Sequence, residues 1–439
     1  MSAPTPGSAL SADSPILRSK KKSLIAGTVG NVLEWYEWSA YAVFAPFIAG
    51  VMFDQSDPLS ALLATLGVFA VGFLMRPLGG IVFGRVADRR GRKFVLVTTM
   101  LMMAGGSLVI AVMPTYETIG AWASLVLLGA RVAQGFAHGG ESATAYSYVG
   151  EIAPPHRRGL WGSVAFVAIF GGSVLAYTLG GMLTSTLSDS AVSDWGWRVP
   201  FVLGALLALV ALYMRRSMDE SDVFESDREP SSDGNTGDAA SATSRRGIAR
   251  SVLVMIAMVS GIAAAHYTWT SYVSTYAITQ QGMDSGTAYW MSVLAQVIAL
   301  VSLPFWGALS DRIGRRPMLL FFAVPMVVLQ YPLTRMITDQ GWTLLVATSV
   351  ALLVVSAPGS ILSAVLSENF PTRVRTQGIG FAYSLSVAVF GGTAPYLNQL
   401  FSNLGFGWVF GAYIMLLCGL TGLSCLFIRE TKGMELVDG

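Results

Sequence analysis

Two short runs of the sequence place ionisable side chains at helical spacing inside otherwise apolar stretches. Asn31, Glu34, Glu37 and Tyr41 recur at steps of three and four, as do Arg131, Gln134, His138 and Glu141. Such steps return side chains to one side of a helix. Carboxylates beside a guanidinium and an imidazole can bind and release protons and can capture a charged solute. Setting Glu34, Glu37 and Glu141 against Arg76 and Arg131 leaves one negative charge uncompensated, which one bound proton would neutralise. The same groups could instead form a static ion-pair network that fixes helix packing, because structural networks also perturb titration. Arg76 and Arg131 are the only arginines well inside apolar runs, so an anionic solute would find its cationic partner there; Arg76, followed by Pro77, could equally brace its helix. Asn31, Gln134, Tyr36, Tyr267, Thr270 and Tyr383 could donate to a carboxylate, although such residues in apolar helices are more often packing elements. His138 lies one turn before Glu141, and His266 opens the polar run His266-Tyr267-Thr268-Trp269-Thr270. Both histidines are read as lining a pocket, against the alternative of a hydrogen bond to a facing helix. No nucleophile, phosphate loop or metal-ligand spacing occurs, so no catalytic residue, metal site or cofactor is expected and the chain does not read as an enzyme.

The elements that must position these groups follow from composition. Of 439 residues 53% are hydrophobic and 12% charged, against about a quarter charged in soluble domains. Short breaks cut the chain into about twelve apolar runs of membrane-spanning length. They cover residues 24–53, 60–83, 94–113, 118–148, 160–187, 197–214, 250–280, 286–309, 318–337, 342–366, 376–402 and 407–428. Alternate loops carry Arg85, Arg89, Arg90, Arg92 and Lys93, then Arg157 and Arg158, then Arg312, Arg315 and Arg316, then Arg373 and Arg375. The intervening loops are acidic, with Asp54, Asp57, Glu117, Asp189, Asp194, Asp284 and Asp339; Arg198 breaks that pattern and is read as a helix anchor or an anion-capturing group at the entrance. By the positive-inside rule the basic loops and both termini are expected in the cytoplasm. The expected fold is an all-α membrane protein of two pseudo-symmetric six-helix bundles, 23–216 and 248–429, joined by a Ser- and Asp-rich linker, 217–247, and flanked by tails 1–22 and 430–439. The first tail ends in Arg18, Lys20, Lys21 and Lys22 without a small-residue cleavage site, unlike a signal peptide. Cys418 and Cys425, seven apart in the last run, are expected to be small apolar residues with no disulfide. A net charge of +2 in discrete clusters argues against a nucleic-acid partner; the expected partners are the lipid bilayer, protons and a small solute, with the chain acting as a monomer.

The two halves echo one another. Gly84-Arg85-Val-Ala-Asp88-Arg-Arg-Gly91-Arg92-Lys93 is matched by Gly307-Ala-Leu-Ser-Asp311-Arg-Ile-Gly314-Arg315-Arg316, and Glu151-Ile-Ala-Pro154-Pro-His-Arg157-Arg158-Gly159 by Glu368-Asn-Phe-Pro371-Thr-Arg373-Val-Arg375. Parallel repeats suit a carrier whose two bundles rock about a site near the membrane midplane. Gly84 is expected to allow a tight turn, Asp88 to sit near the start of the third helix, and Arg92 with Arg85 to bridge to Glu151. With Arg158, Asp311, Arg315 and Glu368 as counterparts, these contacts would lock a gate; a purely topogenic basic loop is the simpler alternative.

This duplicated loop motif resembles the signature of the major facilitator superfamily over nearly the whole chain. Gly30-Asn31-Val-Leu-Glu34-Trp35-Tyr36-Glu37, Phe73-Leu-Met-Arg76-Pro77-Leu-Gly79-Gly80, Arg131-Val-Ala-Gln134-Gly135 with Gly139-Gly140-Glu141, and Trp195-Gly-Trp-Arg198-Val-Pro200 are similar to its metabolite:proton symporter family. Tyr116 to Gly120 recur in the alpha-ketoglutarate carriers of that family. The resemblance implies proton-coupled symport of a small organic acid, a dicarboxylate or keto acid such as alpha-ketoglutarate, by alternating access in a bacterial inner membrane. Alignment with sugar/proton symporters places Glu37 as the coupling carboxylate and Arg131 as its partner, with Glu34 and Glu141 beside them. The closing Arg429-Glu430-Thr431-Lys432-Gly433 is similar to the last motif of those sugar carriers. Three departures fall where solute is chosen. Ser142-Ala143 replace an aromatic residue and glycine, His138 and His266 stand where the alpha-ketoglutarate carriers are apolar, and the tenth run has no basic residue. Shikimate-like or aromatic acids, citrate, and zwitterions such as proline or betaine therefore stay open. The fifth run lacks the Gly-Pro motif of drug antiporters, and a non-transporting sensor is the reading from another class.

Overall fold

The computed structural model describes residues 31–90, 92–139, 146, 149–150, 153–216, 239–370 and 375–436, the side chains of 87–88, 92–93, 96, 211, 213–216, 239–246 and 376 excepted. The long helices are labelled in chain order. They are α1 (31–52, interrupted at Phe44), α2 (Pro58–Leu74 continuing as Arg76–Arg90), α3 (Arg92–Val112), α4 (Ala121–His138), α5 (Arg158–Thr186) and α6 (Val199–Arg216). In the second half come α7 (Ala239–Tyr267, a π-helical turn Thr268–Tyr272, then Val273–Gln281), α8 (Ser285–Ile313), α9 (Arg315–Met336) and α10 (Gly341–Glu368). There follow α11 (Arg375–Ser386, a π turn Val387–Gly391, then Ala394–Asn403) and α12 (Gly407–Ser424). Seven described stretches are long and apolar enough to cross a membrane, and shorter apolar helices run over Val97–Val112 and Gly196–Val210. Large apolar side chains such as Leu108, Leu206, Val301, Phe305, Val328 and Leu416 are exposed on the flanks. Only a lipid solvent makes that favourable.

Two elements differ from expectation. Helix α7 begins at Ala239, inside the stretch expected as linker, because Ala239, Ala240 and Ala242 are strong helix formers. The fourth run is split at Gly120, whose φ of 58° ends the short helix Tyr116–Ile119 before α4 starts.

The halves meet along two seams. Along α5 and α8, a Cβ on Gly307 would lie 2.6 Å from the Gly159 carbonyl oxygen, and one on Gly159 2.6 Å from that of Gly307. Toward the other end Gly180 and Gly181 face the Tyr289 and Trp290 rings, Tyr289 donates to the Val43 carbonyl at 2.7 Å, and Trp290 donates to Ser185 at 3.1 Å. Between α2 and α11, Gly392 packs on Phe73 and Gly67 on Tyr396. Small residues let helix backbones approach this closely. Between the seams lies a cavity of ≈ 10 Å³, room for about one water molecule. Gly307→Val forces the α5–α8 backbones apart, and overpacking of about 1–3 kcal/mol is expected to lower transport roughly tenfold without reducing the inserted protein. Uptake normalised to purified carrier checks this.

Candidate functional site

Helices α1, α2, α4, α7 and α11 turn their polar residues toward the centre. The cavity is lined by Trp35, Trp38, Phe69, Ser173, His266 and Tyr267, among others, with Thr270 and Ser271 from the π turn. A π turn widens the helix by one residue and is often found at functional sites. Beside the cavity, Arg76 is 3% exposed. Its guanidinium carbon lies 3.7 Å from the Phe73 ring centre, 4.3 Å from that of Trp38 and 5.5 Å from that of Trp35. Among the described residues its Nε and Nη2 have no hydrogen-bond partner, and its electrostatic neighbours are Tyr267, Glu34 and Tyr383. The Tyr267 hydroxyl faces this guanidinium without closing a hydrogen bond of good geometry. Tyr146 donates to the Tyr383 hydroxyl at 3.0 Å, leaving the Tyr383 proton to be donated onward. Glu34 meets the imidazole of His138, which stands edge-on to Trp35 and Trp38. His266 sits among Phe166, Phe170 and Tyr267 with Nδ1 unpartnered. Thr270 reaches the cavity while donating its own hydroxyl to the His266 carbonyl at 2.7 Å. Asn31 is half-buried at the start of α1.

Glu37 belongs to a different place. Its carboxylate accepts from Ser107 of α3 and from Gln134 Nε2 at 3.4 Å, and Gln134 also donates to Ser107 at 2.8 Å. Helix α6 closes over it so tightly that a Cβ on Gly204 would sit 1.8 Å from Glu37 Oε1. Arg131 is an electrostatic neighbour of Glu37, yet none of its three guanidinium nitrogens has a hydrogen-bond partner, and the group lies 3.9 Å from the Tyr41 ring centre. The expected Glu37–Arg131 pairing is corrected to proximity without a bond, because the hydroxyl and amide of Ser107 and Gln134 satisfy one oxygen of the acid and the Tyr41 ring takes the guanidinium. Gln134 therefore serves Glu37 and not a solute. Tyr36 is likewise removed from the solute site: its hydroxyl donates to the Pro200 carbonyl at 2.9 Å and ties α1 to α6. Ser107 and Gly204 were not signalled by the sequence except as small residues in apolar runs. Glu141 and Glu151, and the side chains of Asp88 and Arg92, lie outside the described residues.

At the end of the bundle carrying the basic loops, one carboxylate collects both halves. Glu368 accepts from Arg158 Nη1 at 3.1 Å, from Arg315 Nη2 at 3.1 Å and Nε at 3.3 Å, and from Thr431 at 2.5 Å. Asp311 accepts from Arg315 at 2.9 Å and from the Gly159 and Leu160 backbone N–H groups at 2.8 and 2.9 Å. Asp311, at the end of α8, thus caps the N-terminus of α5, where a carboxylate is favoured by the helix dipole. Gly84 is corrected as well. It lies within helix Arg76–Arg90 and makes no turn, while its counterpart Gly307 serves the close α5–α8 contact and Gly314, at φ 105°, makes the turn. Arg85 is exposed. Arg158 and Arg375 play matching parts in the two repeats, their Nε atoms capping the Gly150 and Ser367 carbonyls at 3.1 and 3.0 Å. Arg198 is an anchor: Nη1 donates to the Ala111 and Met113 carbonyls at 2.9 and 2.7 Å, at the C-terminus of α3.

The closing motif after α12 forms a strap whose contacts its sequence does not specify. Glu430 accepts from the backbone N–H groups of Arg315 at 2.9 Å and Arg316 at 3.1 Å, capping α9, and the Met434 carbonyl accepts from Arg158 at 3.0 Å. Burial alone would raise the Glu430 carboxyl, but the N–H groups of Arg315, Arg316 and Lys432 outweigh it and hold the group below the ordinary carboxylate value. A depressed folded value contributes stability above the ordinary carboxylate range and loses it as pH falls through the folded value. Glu430→Gln is expected to lower the Tm at neutral pH and to leave it unchanged in strong acid, as a pH series of thermal unfolding in detergent would record.

Comparison with known proteins places this arrangement among carriers. The family described as "Sugar (and other) transporter" matches residues 23–229 and again 225–438, one match per half. The alpha-ketoglutarate permease of Escherichia coli (strain K12) is 36% identical over 98% of this chain and 99% of its own length. The ectoine/proline transporter ProP of Corynebacterium glutamicum is 35% identical, covering 95% and 86%, and the citrate-proton symporter of Salmonella typhi 33%, covering 94% and 95%. The structure of the MFS proton:xylose symporter XylE superposes with a TM-score of 0.74 at 18% identity over 95% of this chain and 97% of that one, a likeness of fold.

Proposed function

The chain belongs to the sugar (and other) transporter family of the major facilitator superfamily, a family of multi-pass membrane carriers, and from that premise we propose that it takes up a small organic acid together with protons by alternating access. The observation that carries this reading is Arg76, a buried guanidinium beside the central cavity with two unpartnered nitrogen atoms. A fixed, buried fork of donors is suited to a carboxylate, which it can hold through two parallel bonds. Tyr267 and Tyr383 stand ready to donate to the same anion. Glu37, almost fully buried beside Arg131, is the coupling carboxylate, and the Arg158–Glu368–Arg315 cluster is the gate. The basic loops and both termini lie in the cytoplasm of a bacterial cell whose inner membrane holds the protein. The two bundles, 23–216 and 248–429, rock as units about the joining linker.

The leading solute is a dicarboxylate or keto acid such as alpha-ketoglutarate, in keeping with the relative that carries that name. A zwitterion such as betaine or proline is the second reading, favoured by the Trp35, Trp38 and Tyr267 rings around the site, since aromatic faces attract an ammonium group. Liposomes containing the purified protein, offered a panel of radiolabelled acids with and without an inward proton gradient, decide between them. Gradient-dependent uptake competed by alpha-ketoglutarate is the expected result. Competition by betaine or proline but not by keto acids selects the second reading, and no uptake of any solute in the panel favours a sensor.

A further inference from the structure

The Glu34 carboxylate and the His138 imidazole meet between α1 and α4, at 11% and 1% exposure. The His138 ring centre is 5.8 Å from that of Trp35 and 5.9 Å from that of Trp38, the two indoles that also flank Arg76. An acid, an imidazole and a guanidinium therefore share one aromatic shell at the cavity. Glu37, by contrast, turns to Ser107 and Gln134, about a turn further along α1. Among the described residues, the groups facing the pair include Arg76 from α2, Tyr267 and His266 from α7, Tyr383 from α11, and Arg131 beside the Trp38 indole.

We infer that Glu34 and His138 form a proton site distinct from Glu37, filled when the carboxylate of the transported acid takes Arg76. The inference rests on the proposed reading of Arg76 as the acid's anchor. Without solute, the Arg76 charge is offset by Glu34. A solute carboxylate on Arg76 removes that offset and leaves two negative charges against one positive charge in a dry, low-dielectric shell. Such an imbalance is strongly unfavourable. His138, already in contact with Glu34, offsets the carboxylate bound at Arg76 by taking one proton from the water on the open side, giving an imidazolium held by Glu34 beside the guanidinium–carboxylate pair. The N–H bond formed on His138 replaces an O–H bond of hydronium on the open side, and the proton returns to water on the opposite side when the acid leaves. Imidazole suits this task because its ordinary titration lies within the physiological range. The arrangement makes proton binding conditional on acid binding, as coupling requires.

His138→Gln keeps a polar side chain but removes the titrating group. With radiolabelled alpha-ketoglutarate, or whichever panel acid the wild type takes up, the proton-to-acid ratio is read in proteoliposomes from the membrane potential that just halts net flux. The variant is expected to carry about one proton fewer per acid and to lose most of the dependence of uptake on external pH. Because coupling is reciprocal, the variant should also lose the tightening of acid binding that lower pH brings in the wild type. An unchanged ratio with an unchanged pH profile overturns the inference, whereas a merely structural role slows all modes together and leaves the ratio intact. Should His138→Gln fail to insert, His138→Asn and Glu34→Gln are held to the same ratio. Failure of the wild type to carry any acid is a separate outcome, which removes the anchoring role of Arg76 itself.

Discussion

Arg76→Gln reduces acid uptake to background and weakens binding about thirtyfold to several thousandfold, while the protein folds at least as well as wild type. The size follows from the loss of one partner in a buried, charged hydrogen-bonded pair, about 2–5 kcal/mol, which the logarithmic relation between free energy and affinity converts into that range. The retained stability follows from the unliganded state. With Nε and Nη2 unpartnered and 3% exposure, the guanidinium is poorly solvated, and the rings of Phe73, Trp38 and Trp35 offset only part of that cost. A glutamine relieves it. Arg76→Lys is expected to fail nearly as badly, since a point charge cannot reproduce the fork that grips a carboxylate. Binding measured on purified protein, together with Tm in the same detergent, checks both halves. If Arg76→Gln instead unfolds the carrier, or leaves affinity unchanged, the residue is a brace for α2 and the anion site lies elsewhere.

Such a site was partly legible in the sequence, and its failures are instructive. The apolar runs, the duplicated loop motif and the interior charges of α1, α2 and α4 could be read from spacing alone, because a bilayer penalises every unpaired polar group and makes the exceptions conspicuous. Spacing could not say that Glu34 and Glu37 diverge. Three residues advance a helix by about 300°, so the two acids sit about 60° apart, enough to send one to His138 and the other to Ser107. Contacts between distant segments were also hidden. The cap that Asp311 places on Gly159 and Leu160 spans the two halves, and no local pattern predicts which helix a loop carboxylate will meet. The strap from Glu430 to Met434 was read only as a likeness to the closing motif of sugar carriers, although its Glu and Thr bond groups on α9 and α10. Glycines were misread in the same way. Gly84 looked like a turn residue, but at its counterpart the missing Cβ makes room for another helix, and it is Gly314, later in the motif, that has the backbone glycine favours.

Glu368→Ala is expected to open the end of the bundle that carries the basic loops. The carboxylate sits between two guanidinium groups from opposite halves, Arg158 at 2% and Arg315 at 0% exposure, and it also receives Thr431. Removing one partner from a buried ionic cluster typically costs about 3–5 kcal/mol, and here the cost falls on the closed arrangement alone. Once the halves separate, water can solvate both arginines. A bias of that size shifts the closed-to-open equilibrium on the order of a hundredfold to several thousandfold, so the variant should rest open at this end. Turnover should then fall at least tenfold, because the step that closes this gate becomes the slow one. A single cysteine introduced at Ser173, on the cavity wall, should label rapidly from this side in the Glu368→Ala background and slowly in its absence. Joint replacement of Arg158, Arg315 and Glu368 by apolar residues of similar volume should restore much of the closure, since what drives the gate open is the stranded charge and not the missing side chain. Equal labelling in the two backgrounds, with turnover intact, would show that the cluster decorates a gate held shut by the Gly159–Gly307 seam.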